Sequence, residues 1–104
     1  MMVVTSSTIA GKKIVKTFGL VRGNTIRARN IGKDILAGLK NIMGGEIEEY
    51  TKLMGEAREQ AIDRMLETAE SMGANAVVDV RISTSYIMGA ASEILVYGTA
   101  VLVE

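Results

Sequence analysis

Residues 13 to 21 read Lys-Ile-Val-Lys-Thr-Phe-Gly-Leu-Val, a run rich in β-branched and aromatic residues that predicts a strand. Alternation places Ile14, Phe18 and Leu20 on one face of it and Val15 and Val21 on the other. The turn-forming Arg22-Gly23-Asn24 would end it. Asn30 is then placed to cap a helix, whose apolar face is Ile31, Ile35, Leu39 and Ile42 and which Gly44-Gly45 stops. A longer helix follows. Its apolar positions, Ile47, Tyr50, Met54, Ala57, Ala61, Met65, Ala69 and Met72, recur at helical spacing. Glu46, Glu48 and Glu49 sit in its first turn, where negative charge meets the positive end of the helix dipole, and Gly73 offers a left-handed C-cap.

From Ala76 the period changes to two, with Ala76, Val78, Val80 and Ile82 on one side and Asp79, Arg81, Ser83 and Ser85 on the other. After the small-residue turn Gly89-Ala90-Ala91-Ser92, the last strand, residues 93–103, is apolar on both faces. Ile94, Val96, Ala100 and Leu102 form one face; Leu95, Val101 and Val103 form the other. Such a strand belongs in the centre of a sheet and is covered twice. The pattern therefore predicts a single α+β domain over residues 1–104, a two-layer β-α-β-β unit with a sheet of order 1-3-2 in which the hairpin is antiparallel. One helical layer covers one face only. The second apolar face asks for a partner, and a further copy of the chain is the simplest one.

Composition narrows the chemistry. The 104 residues include no Cys and no His, so the chain by itself supplies no disulfide, no thiol nucleophile, no Cys/His zinc site and no Ser-His-Asp triad. The formal net charge is zero, with 12 basic and 12 acidic side chains, but the charges are segregated. Residues 1–45 carry eight bases against Asp34 alone, while residues 46–73 carry three bases against eight acids. This split predicts ion pairs between the first part and the long helix, partly between copies. A chain of this length buries only about two thirds of its unfolded surface, which also favours association. No apolar stretch approaches the roughly 20 residues of a membrane span, and the N-terminus lacks the features of a signal peptide. A cytoplasmic location with no membrane partner is the expectation.

Few groups can carry chemistry. Arg22, Arg27, Arg29 and Lys33 gather around the start of the first predicted helix, where free amides favour anions; the alternative is that they are solvated or paired with acids. Met54, Met65 and Met72 share a helical face, which suits either a soft cation or, as with most methionines at helical spacing, a core. The basic residues are not interleaved along the chain with Phe18, Tyr50, Tyr86 and Tyr97, which argues against a nucleic-acid partner. Asp34, Tyr50 and Asp79 are the candidate acids or bases of an enzyme, and Asp79, Arg81, Ser83 and Ser85 could line a cleft or simply face solvent.

Gly11-Lys12, Gly19-Leu20-Val21, Asn30 with Asp34, Gly44-Gly45, Tyr50, Ala57-Arg58, Gly73-Ala74-Asn75-Ala76-Val77-Val78 and Gly98-Thr99-Ala100-Val101 together resemble the YbjQ-like family, over nearly the whole chain. The resemblance implies a dodecin-subunit-like fold assembled as a pentameric ring with short extra strands at the contacts. It also carries a heavy-metal-binding label, which a chain without Cys or His ligands does not support. The expectation is thus a homo-oligomer, a pentamer, with no catalytic site, no cofactor and no metal. Its ligand positions, if any, lie at subunit interfaces near Asn30, Asp34, Tyr50, Arg27 and Arg29. The alternatives are a binding module for a small anion or metal ion, and an enzyme.

Overall fold

A computed structural model describes the backbone of residues 1–28, 45–88 and 91–104, and the side chains of 1–27, 52–86 and 91–104. The first predicted helix, with Ile31, Ile35, Leu39 and Ile42, lies outside the described residues, as do Gly89 and Ala90 of the predicted turn. The elements are β1 (Met2–Val3), β2 (Ile14–Ala28), α1 (Gly45–Ser71), β3 (Ala76–Met88) and β4 (Ala91–Val103). They form an α+β unit in which one four-stranded sheet of order β1-β3-β4-β2 carries α1 on one face.

This corrects the expected three-strand sheet of order 1-3-2. A further strand, β1, pairs in parallel with β3 through Met2↔Ala76 and Val3↔Val77, so the sheet is mixed. Two residues carry too short a pattern to announce a strand. β4 pairs antiparallel with β2 on one side and β3 on the other, in keeping with its two apolar faces.

β2 is also longer than expected, because Arg22-Gly23-Asn24 is not a turn: the three residues pair with Tyr97, Val96 and Leu95. Gly23 is there for clearance. A Cβ at this position would fall on the Ala61 carbonyl and within 2.5 Å of the Met65 amide, so the glycine lets α1 lie directly on the strand. The predicted faces of β2 need correction too. Irregularities between Ile14 and Lys16 and between Thr17 and Gly19 break the alternation, so Phe18 packs under α1, Ile14 packs on the opposite face and Leu20 is exposed. Val21, expected on the uncovered face, is instead buried under the helix, while Val15 is exposed.

α1 is 27 residues long. Its Met54, Ala57, Ala61, Met65 and Ala69 are buried against Val21, Val77, Val80, Ile94, Val96 and Ala100 of the sheet, whereas Met72 is exposed. The small alanines bring helix and sheet close, and Thr25 Oγ1 donates to the Ala57 carbonyl across this contact at 3.1 Å. Gly73, at φ 94°, ends the helix as expected: the Ala74 amide donates back to the Ala69 carbonyl at 3.1 Å, a Schellman closure. Asn75 then pairs like a strand residue, its Nδ2 donating to the Val103 carbonyl and its Oδ1 accepting from the Val103 amide at 2.9 and 2.8 Å.

The face of the sheet opposite α1 is covered at one end by the chain itself. Val4 and Ile9 of the N-terminal arm pack with Ile14, Ala76, Val78, Val101 and Val103 in a second apolar cluster. The arm continues beyond β1, with the Val4 amide donating to the Val77 carbonyl (3.0 Å), the Val80 amide to Val4 (3.1 Å) and the Asp79 amide to Ser6 (2.9 Å). Part of the apolar surface assigned to a partner from the sequence is therefore closed internally.

Candidate functional site

The proposed ligand set is not brought together by the described residues. Asn30, Asp34, Arg29 and Lys33 lie outside them; Tyr50 is in α1, with its side chain outside the described set. Arg27 sits opposite Ser92 on the helix side of β2, and its Nη2 donates to Gln60 Oε1 of α1 at 2.8 Å. Arg22 lies opposite Tyr97 on the other face. The two arginines that the sequence grouped thus point to opposite sides of one strand.

Among the described residues, the predicted ion pairing with the helix is not seen at Arg22 or Arg27. Arg27 meets a neutral glutamine, and at Asn24 the relation is reversed, with Arg64 Nη1 of α1 donating to the strand carbonyl at 2.6 Å.

Asp79 does not share a regular strand face with Arg81, Ser83 and Ser85. The register passes from Val78↔Thr99 directly to Arg81↔Tyr97, which makes residues 79 and 80 a β-bulge, and Asp79 has a positive φ of 55°. Asp and Asn tolerate this conformation better than most side chains. The bulge reverses the phase of the strand, so Ala76 and Val78 pack under the arm while Val77 and Val80 pack under α1. Asp79 itself is engaged structurally: Ser7 Oγ donates to its Oδ1 at 2.8 Å. Beside it, Arg81 Nη1 donates to the carbonyls of Thr5 (2.9 Å) and Val80 (2.8 Å). These contacts fasten the arm to the bulge.

Among the described residues no donor set for a heavy metal is gathered. The chain has no Cys or His, and the described residues hold no group of three or more acids. Met54 and Met65 are core residues, buried among alanines and valines, rather than a convergent thioether site. Among the described residues no helix is long and apolar enough to cross a membrane.

What the geometry does offer is an open sheet face. Opposed residues of neighbouring strands point the same way, so Leu20, Arg22, Asn24 and Ile26 of β2, Leu95 and Tyr97 of β4, and Arg81, Ser83 and Ser85 of β3 share the side away from α1. Leu20 is 65%, Ile26 59% and Tyr97 37% exposed. A shallow cavity of about 380 Å³ lies at the β2 margin, lined by Leu20, Val21, Arg22 and Thr68. The sequence did not reveal this face, because its members come from three strands whose register is set only on folding.

Fold and surface together define a small two-layer α+β protein, one long helix on a four-stranded mixed sheet. The family model described as "Putative heavy-metal-binding" matches residues 1–104, and the chain belongs to this YbjQ family. It is 59% identical over 104 residues to a UPF0145 protein of Dehalococcoides mccartyi, with all of both chains covered. It is 58% identical over 101 residues to a UPF0145 protein of Methanosarcina acetivorans, covering 97% of this chain and 95% of that one. A crystal structure of a protein of unknown function from Pediococcus pentosaceus shares the fold, with a TM-score of 0.70 at 14% identity, over 100% of this chain and 98% of that one.

Proposed function

We propose that the protein is a homo-oligomeric, non-enzymatic binding protein, a pentameric dodecin-like ring of the cytoplasm, assembled through the edges of its sheet. The observation that carries this reading is that, among the described residues, neither flank of the sheet is closed by a further full-length strand. β2 is the last described strand on its side. On the other side the arm reaches only as far as Val80 and Arg81, so among the described residues β3 has no outer partner from Ile82 onward.

The orientation of the amides supports it. The Val80 amide is directed outward, to Val4, and alternate residues of a strand present their polar groups to opposite edges, so Ile82 and Thr84 do the same. On β2 the Asn24 carbonyl accepts from Arg64, which places Arg22 and Ile26 in the outward set. Long unprotected edges are templates for pairing with another chain. Pairing β2 of one copy with β3 of the next is a head-to-tail contact, which closes into a ring when the rotation permits. Exposed Ile82 (49%) and Tyr86 (74%) on the free part of β3 supply apolar surface for it. Five is the number implied by the family resemblance.

The family's metal description is not part of this proposal, because the chain has no Cys or His and the described residues gather no group of acids for an ion. The edge reading is tested with Thr84→Pro, which removes one outward N–H without removing a bond to β4. Light scattering after size exclusion should show assembled wild type and a dissociated variant whose helical circular dichroism is retained. An assembled variant would contradict the pairing.

A further inference from the structure

The open face carries a second feature that is independent of assembly. Arg22 and Arg81 are the two cross-strand neighbours of the same residue, Tyr97. Strands spaced about 4.8 Å apart put the two arginine backbones about 10 Å apart, with the tyrosine between them. Basic and aromatic residues that are not interleaved along the chain are interleaved across it.

Three observations make this row a platform rather than a general surface. It is open: Tyr97 is 37% exposed and both arginines are exposed. It has a wall on one side, since Val78 is buried by the arm and Arg81 Nη1 is held by the Thr5 and Val80 carbonyls. That anchoring fixes the guanidinium and leaves its Nε and Nη2 without a partner among the described residues. Finally, the two nearest described carboxylates are hydrogen-bonded to groups other than these arginines. Asp79 accepts from Ser7, and Glu93, two rows along β4, accepts from Asn24 Nδ2 at 3.3 Å. Leu20, Leu95 and Thr99 flank the ring with mostly apolar surface.

An aromatic ring on a sheet face binds planar rings by stacking, worth about 1–3 kcal/mol for a nucleobase. Guanidinium groups bind phosphate through paired N–H donors. We propose that this face binds a nucleotide, with the base against Tyr97 and the phosphate held by Arg22 and Arg81. The size of the row suits a mononucleotide: one ring, with one cation on either side. It has no second aromatic in line on β4, where the same face continues as Leu95 and Glu93, so a polynucleotide would find no second stacking position along that strand.

The test is calorimetric titration of the full-length protein with AMP, adenosine, inorganic phosphate and a uridine oligonucleotide. AMP is expected to bind about tenfold or more tightly than adenosine or phosphate alone, since each of these keeps only one half of the contact. Tyr97→Leu and Arg22→Gln should each weaken AMP by about tenfold, while Tyr97→Phe, which keeps the ring, should retain the affinity. Melting temperature and oligomeric state should be unchanged in all three variants, so that failure of this proposal is distinct from failure of the assembly reading. Absence of AMP binding to the wild type, or equal AMP binding by wild type, Tyr97→Leu and Arg22→Gln, would overturn the proposal. So would phosphate binding as tightly as AMP. Affinity for the oligonucleotide that rises with its length would overturn it in favour of single-stranded RNA.

Discussion

Val101 and Leu20 lie on the same face of neighbouring strands, yet Val101 is 1% exposed and Leu20 is 65% exposed. The difference lies in what covers them. Around Val101 the sheet is enclosed on both faces, by α1 on one side and by Val4 and Ile9 of the arm on the other. Beyond the reach of the arm α1 still covers Ile94 and Val96, but Leu20 on the edge strand, Ile26 and Tyr97 on the outer face, and Ile82 and Tyr86 on β3 are exposed. Strand propensity is similar in the two regions. A short chain can complete one end of its core with its own N-terminus and leave the other for something else. We assign stability to the enclosed end and interaction to the open end.

The largest effect should come from the layer shared by both ends. Met65 is fully buried between α1 and the sheet, and Met65→Ala should cost about 3 kcal/mol from lost burial and the cavity left behind. Urea denaturation at fixed protein concentration measures it; a cost below about 1 kcal/mol would mean that the helix is not seated as described.

Next in size are changes confined to the enclosed end. Val101→Ala, under the arm, should cost about 2 kcal/mol, whereas Leu20→Ala, on the same face but on the uncovered edge strand, should change monomer stability by less than about 0.5 kcal/mol. Equal costs would erase the contrast between the two regions. Asn75→Ala removes two bonds to the Val103 backbone and should cost about 1–2 kcal/mol.

The smallest effect is expected where the arm meets the bulge. Ser7→Ala deletes an exposed hydrogen bond to Asp79 and should cost about 0.5 kcal/mol. Hydrogen exchange should nevertheless detect it as faster exchange at the Asp79 and Val80 amides, which the arm accepts. Unchanged exchange at these amides would separate the Ser7 contact from the docking of the arm.

How far the sequence announced this arrangement differs by element. α1 was legible over its length, because five apolar positions from Met54 to Ala69 follow one helical face and Gly73 marks the stop. The central place of β4 was legible from its two apolar faces. Strand phase was not. One extra residue at Asp79–Val80 inverts every side chain that follows, and periodicity fitted across the bulge assigns Val78 and Val80 to one face when they pack on two. Gly23 was misleading in another way: glycine next to arginine and asparagine reads as a turn, but this one provides clearance for a helix far along the chain. The candidate site was least legible. Asn30, Asp34 and Arg29 lie outside the described residues, and the row Arg22-Tyr97-Arg81 exists only through strand register.

The central claim, that the outer edges of β2 and β3 pair with further copies of the chain, is tested most directly by native mass spectrometry of freshly purified protein. The account predicts one dominant species of five times the 11.1 kDa chain mass. A dominant species of 11.1 kDa across micromolar concentrations would contradict it.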